Sequence, residues 1–210
     1  NNPFLFNLLA LALHGNGNYL MAIDKFKRAL DLDPNFLPAK NNLANSYKAI
    51  ENFEKAEFFY KNVLESKPNY IQALNNYANL KTMIFDYSSA INLYEKALKI
   101  NENDQRILFA LANAYHSIGK IDKSKEIVEN IILKNPKNTS AHKLLSSIVN
   151  YSENQENLNE MKKLILEKDL SKSQIVDLLF ALGKAYEDIK QYENSFFHLQ
   201  KAKKLKKKSN

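Results

Sequence analysis

The chain has 210 residues, 45% apolar and 25% charged, with a formal net charge of +7. It contains no cysteine, which excludes disulfide frameworks, thiolate metal sites, iron–sulfur clusters and thiol nucleophiles. Only four glycines and five prolines argue against glycine-rich phosphate loops, turn-rich sandwiches and proline-rich linkers.

The charge is local. The last ten residues, KAKKLKKKSN, hold six lysines (Lys201, Lys203, Lys204, Lys206, Lys207 and Lys208), and without them 24 basic residues face 23 acidic ones. A diffuse basic surface for phosphate backbones is therefore not implied. No segment approaches the roughly 18 consecutive apolar residues of a membrane-spanning helix. Residues 4–13, FLFNLLALAL, are apolar but lack a basic leader and a small-residue cleavage site. A cytoplasmic chain is expected, and with Asn1 first it reads as a piece of a longer protein.

In chain order, apolar residues at helical spacing predict helices over 3–15, 19–32, 37–49, 53–66, 71–83, 87–100, 105–117, 121–134 and 139–150. Residues 151–156, YSENQE, break the pattern. A late helix over about 156–168 follows from Leu158, Met161, Leu164 and Ile165. A last helical pair then carries the string LGKAYEDIKQYENSFFHLQKA.

Internal periodicity organises these elements. Ala10, Ala44, Ala78, Ala112 and Ser146 stand 34 residues apart, as do Ala22, Ala56, Ala90 and Ser124, and Ala29, Val63, Ala97 and Ile131. Pro34, Pro68 and Pro136 recur in the same phase, with Glu102 in the fourth place. Small residues let paired helices approach, larger ones fill the remaining space, and the proline ends the second helix. The pattern resembles the tetratricopeptide repeat. Counted from Pro3, Leu37, Ile71, Gln105 and Thr139, Leu9, Leu43, Tyr77, Leu111 and Leu145 fill its seventh position. The fourth, often Trp in the family, is Phe6, Lys40, Leu74, Leu108 and His142. Gly183 follows Ser146 by 37 residues, so the fifth unit carries a three-residue insertion.

The resemblance implies an all-α, right-handed superhelix of about six helix–turn–helix units. These are 3–36, 37–70, 71–104, 105–138, an irregular 139–170, and 172–206, forming one solenoid over 3–206. Residues 201–210 read as a basic tail: the end of the last helix, a linker into a C-terminal domain, or a contact for acidic lipid or nucleic acid, the last least favoured.

In that family the first helix of each unit lines a concave groove with its second, fifth, sixth, ninth and twelfth positions. Here those positions supply Asn41, Asn42 and Asn45, then Asn75, Asn76 and Asn79, then Arg106, Asn113 and His116. An amide offers one acceptor and two donors, so a ladder of them suits an extended peptide backbone, each bond contributing about 1 kcal/mol net. Asn42 and Asn76, in NNLANSY and NNYANLK, are similar to the asparagine ladder of O-linked N-acetylglucosamine transferases. Against this stands a merely hydrated groove in an Asn-rich chain. The carboxylate clamp of chaperone-binding repeats fits less well. Asn41, Asn45, Asn76, Arg106 and Ala110 occupy its places, and a required Lys and Arg are missing.

Phe180 to Leu199, FALGKAYEDIKQYENSFFHL, is similar to the last repeat of bacterial proteins that join such an array to a sulfotransferase domain. This resemblance covers about residues 158–204 and implies the non-catalytic arm of a larger enzyme. A repeat arm of a glycosyltransferase is the alternative. The four histidines, His14, His116, His142 and His198, lie at no metal-binding spacing and are expected to be solvated or half-buried. No catalytic constellation, metal site or cofactor site is expected. Phe4, Leu8 and Leu11 are expected on an exposed docking surface for further repeats or a second copy. The expectation is an interaction scaffold whose groove holds a protein or peptide partner.

Overall fold

The computed structural model describes residues 2–153 and 155–207. Twelve α-helices and no strand are present among them: α1 (Pro3–Gly15), α2 (Tyr19–Leu32), α3 (Leu37–Ala49), α4 (Phe53–Ser66), α5 (Ile71–Met83), α6 (Tyr87–Leu98), α7 (Gln105–Ser117), α8 (Ile121–Lys134), α9 (Thr139–Ser146), α10 (Glu156–Leu164), α11 (Lys172–Asp188) and α12 (Tyr192–Lys207). The fold is all-α and built from helical repeats, as the periodicity requires.

Local chemistry sets the ends of these helices. Asn2 caps α1 through the Phe4 N–H at 2.9 Å, and Pro3 occupies the first turn, where its missing N–H costs nothing. Asn52, Asp86 and Asn138 cap α4, α6 and α9 in the same way. Ser171 and Gln174 form a reciprocal capping box on α11. The turn between paired helices is also repeated. Gly17, Glu51, Phe85, Gly119 and Lys190 all have positive φ, between 59° and 79°. After each, an N–H reaches back across the turn, as from Asn52 to the Tyr47 carbonyl and from Asp86 to the Lys81 carbonyl, both 2.9 Å. This is the left-handed helix terminus that glycine tolerates best, yet three of the five residues are not glycine.

Backbone packing divides the chain into two compact units, one ending at Ala114 and one beginning at Tyr115. In the first unit α1 packs on α2, α3 on α4 and α5 on α6, while α2 meets α3 and α4 meets α5. The first helices of successive repeats also touch, α1 with α3 and α3 with α5. Ala10, Ala44 and Ala78 on one side, and Ala22, Ala56 and Ala90 on the other, are fully buried where these pairs approach. Phe26, Tyr60 and Tyr94 fill the space beside them.

The second unit is less regular. α9 packs on α8 and α11, and α11 on α12. Gly183 takes the small position of α11, where an added Cβ would lie 2.6 Å from the Leu199 side chain. α9 stops at Ser146 rather than 150, and α10 stops at Leu164 rather than 168. α10 packs chiefly on α11, so the fifth repeat is not an ordinary helix pair. The insertion separates its two helices by nine residues, too many for the left-handed turn used elsewhere. The basic tail is helical through Lys207, because it continues α12 without a break, and Lys208 lies outside the described residues.

Two outcomes test this account by urea denaturation. Ala44→Leu overfills the α3–α4 contact and is expected to cost about 1–3 kcal/mol. Phe85→Gly relieves a left-handed aromatic that is 77% exposed, and is expected to raise stability by up to about 1 kcal/mol.

Candidate functional site

Where α1, α3 and α5 run beside one another, four asparagines bond among themselves. Asn76 Nδ2 donates to Asn41 Oδ1 (3.2 Å), Asn41 Nδ2 to Asn42 Oδ1 (3.4 Å), and Asn42 Nδ2 to Asn7 Oδ1 (3.2 Å). The relay crosses two repeat boundaries. Its inner members are buried, Asn41 at 5% exposure and Asn7 at 7%, so Asn41 does not stand open in a groove as expected. Asn7 was not among the expected site residues, although it begins the column Asn7, Asn41, Asn75 at steps of 34.

The ninth-position asparagines face inward to tyrosines of the following helix. Tyr60 Oη donates to Asn45 Oδ1 and Tyr94 Oη to Asn79 Oδ1, each at 2.6 Å. Burial pushes both phenols up, Tyr94 to about 12, so they remain donors at neutral pH. In the next repeat Val128 replaces the tyrosine, and Asn113 Nδ2 turns to its own helix at the Phe109 carbonyl, 2.8 Å away. Asn75 is half-buried, and among the described residues its side chain meets no hydrogen-bond partner. Arg106 is exposed and held at 3.2 Å by Asp104. His116 belongs to the second unit and is half-buried. Phe4, Leu8 and Leu11 are 62%, 60% and 40% exposed, and the Phe4 ring packs 4.7 Å from Phe36.

In the second unit His142 is buried, at 1% exposure, contrary to expectation. Its two nitrogens are satisfied: Nε2–H donates to the Pro136 carbonyl (2.8 Å), and Nδ1 accepts from Asn157 Nδ2 (2.7 Å). Burial is tolerable because both bonds are made. Tyr151 Oη donates to Asn157 Oδ1 (2.8 Å), completing a polar chain that joins α9, the 147–155 segment and α10. A cleft of ≈ 590 Å³ lies beside this segment. The insertion in the sequence marked its place but not its existence. Among the described residues no group of His, Cys, Asp or Glu can hold a metal ion, and no helix is long and apolar enough to cross a membrane.

Sequence profiles of the tetratricopeptide repeat match residues 13–84 and 85–148, and again 176–209. The chain belongs to the tetratricopeptide repeat family. The profiles omit 149–175, which contains the irregular segment and α10. A search of curated proteins finds no significant match. Among solved structures, PilF of Pseudomonas aeruginosa is 19% identical, covers 97% of this chain and 91% of its own, and has a TM-score of 0.76. MamA from Desulfovibrio magneticus RS-1, from its residue 41 onward, is 17% identical over 80% and 97%, with a TM-score of 0.70. YrrB, described as a tetratricopeptide repeat protein with an unusual peptide-binding site, is 18% identical over 86% and 91%, with a TM-score of 0.65. At these identities the likeness is one of fold.

Elsewhere in the first unit of this tetratricopeptide array two carboxylates, Glu57 and Asp86, share Lys81. Burial tends to raise the pKa of Glu57, but bonds from Lys61 (2.8 Å), Tyr77 (2.7 Å) and Lys81 (3.1 Å) outweigh it and bring it down to about 2. Asp86 also pairs with Lys81, at 3.4 Å. A depressed carboxyl stabilises the fold above its unfolded pKa and loses that contribution as pH falls through the folded value. Unfolding free energy is therefore expected to drop by about 2–3 kcal/mol between pH ~4.5 and ~2 from this residue. Glu57→Gln is expected to be less stable at pH 7 and to show a smaller acid-dependent loss in urea titrations.

Proposed function

We propose that the chain is an interaction scaffold that holds an extended polypeptide along the α1–α3–α5 face, with Asn42, Asn75 and Asn76 as its principal hydrogen-bonding groups. The observation that carries this reading is the relay from Asn76 through Asn41 and Asn42 to Asn7. Each amide in it is oriented by a neighbour before any ligand arrives, which lowers the ordering cost of binding. The relay uses one N–H of Asn76 and leaves its carbonyl oxygen and second N–H, together with the Asn75 amide, for a partner. Asn45 and Asn79 hold the buried tyrosines and serve the face indirectly. Membership of the tetratricopeptide family and the fold shared with YrrB support a peptide as the ligand class.

A finer reading joins this scaffold to a catalytic domain. The similarity of residues 158–204 to repeats that precede bacterial sulfotransferase domains supports it, with the groove recruiting the protein to be modified. Sulfate transfer to a groove-bound peptide by a product of the gene extended past Asn210, and not by residues 1–210, is the corresponding test.

For the scaffold itself, peptides selected from a random library by this chain are measured by isothermal titration calorimetry. The double variant Asn75→Ala, Asn76→Ala is expected to bind them about ten-fold more weakly, the loss of one to two hydrogen bonds of about 1 kcal/mol each. Asn75→Ala alone should leave the thermal unfolding midpoint unchanged, since the Asn75 side chain makes no hydrogen bond among the described residues. The double variant also strips the buried Asn41 Oδ1 of its Asn76 donor and is expected to lose about 1–3 kcal/mol of stability. Unchanged affinity, or ligand-induced amide shifts confined to helices other than α1, α3 and α5, overturns the reading.

A further inference from the structure

The cleft in the second unit exists because the fifth repeat departs from the 34-residue rhythm. Its floor is apolar, formed by Ile132, Leu145 and Ile148, with Leu133 standing 82% exposed at its edge. Asp122, Glu129, Glu153, Glu156 and Glu160 also line it, against Lys125 alone. A chain of net charge +7 has thus gathered five carboxylates about one apolar hollow. Lys125 lies 3.9 Å from Glu129, while Asp122, Glu153 and Glu160 have no ion pair among the described residues. The walls are held in place. Tyr151 is fully buried, bonded through its hydroxyl to Asn157, and its N–H lies 3.4 Å from the Asp188 carboxylate. A volume of ≈ 590 Å³ admits several side chains of a docking helix.

The complementary surface is on α12. That helix packs on α11 through Ser195 and Ala202, and its other face carries Phe196 and Phe197, 67% and 58% exposed. Lys203, Lys204 and Lys207 follow Phe196 at seven, eight and eleven residues, which places them along one stripe about 16 Å long. None of these lysines has an ion pair among the described residues. Rings that need an apolar floor and cations that need carboxylates occur together on one element.

We propose that the acidic cleft receives the α12 helix of a second copy of this chain, Phe196 and Phe197 seated on the apolar floor and Lys203, Lys204 and Lys207 on its carboxylates. Donor and acceptor patches are different surfaces, so the contact is heterologous and repeats head to tail instead of closing as a dimer. It uses neither the asparagine face nor the first helix.

Sedimentation velocity on the chain over a micromolar-to-millimolar series tests it. Growing oligomers are expected at 50 mM salt, weakened at 500 mM because rim ion pairs are screened. Glu153→Lys with Glu160→Lys, or Lys203→Glu with Lys207→Glu, is expected to weaken association at least ten-fold while circular dichroism stays unchanged. An equimolar mixture of the two variants matches the intact helix of one with the intact cleft of the other, and the reversed helix with the reversed cleft, so it should recover the growth that each variant loses alone. Both reversals in one chain should restore growth. A monomer at millimolar concentration in low salt overturns the proposal. So does association that survives either reversal made alone, a mixture that stays monomeric, or assembly lost to Leu8→Ser alone.

Discussion

A helix pair of this kind has apolar residues on more sides than its partner can cover, and the architecture follows from how closely the next pair can approach. Alanine at the eighth and twentieth positions of the first three repeats sets that distance. Ala10, Ala44, Ala78, Ala22, Ala56 and Ala90 are fully buried because neighbouring backbones come near enough to leave no room for a longer side chain. Close approach in turn brings the first helices of adjacent repeats side by side. Only then can an amide on α3 reach one on α1, or an amide on α5 reach one on α3. The polar face of the first unit is thus a consequence of its apolar packing.

The asparagine columns illustrate how one residue type serves two purposes at different depths. At the ninth position the partner is a buried tyrosine, and the pair satisfies two polar groups that would be costly alone in the core. Where tyrosine gives way to Val128, the amide turns back to its own helix. At the fifth and sixth positions the amides bridge repeats, half at the surface and half beneath it. Such a face can meet a peptide backbone without rearranging, which suits a scaffold that reads main chain more than side chain.

The fifth repeat shows what three extra residues do to a periodic structure. The turn that closes the other pairs fits a fixed spacing, so the insertion cannot be absorbed there. Instead α9 and α10 shorten, α10 settles on α11, and Tyr151, Asn157 and His142 rebuild the missing contacts with hydrogen bonds. The result is an irregularity with an acidic lining, next to a region the family profiles do not match. An interruption held by a fully bonded buried network is a feature of the fold rather than fraying.

The sequence by itself determined the helices, their pairing and the columns of small residues. Each is local or periodic: a cap lies within three residues of what it caps, and a 34-residue step is visible along the chain. Most helix ends fell where spacing and the repeat placed them. The exceptions, α6, α9 and α10, lie where the proline is replaced by Glu102 or the period is broken. The asparagine positions were legible too, but not their partners. Asn41 lies beneath the surface, Asn7 completes a relay, and His142 is sealed in the second unit, because each depends on residues 6 to 35 positions away that only packing brings within 3.5 Å. The cleft was hidden for the same reason. A gap between elements is set by the distance at which they stop approaching, and no linear pattern records that distance.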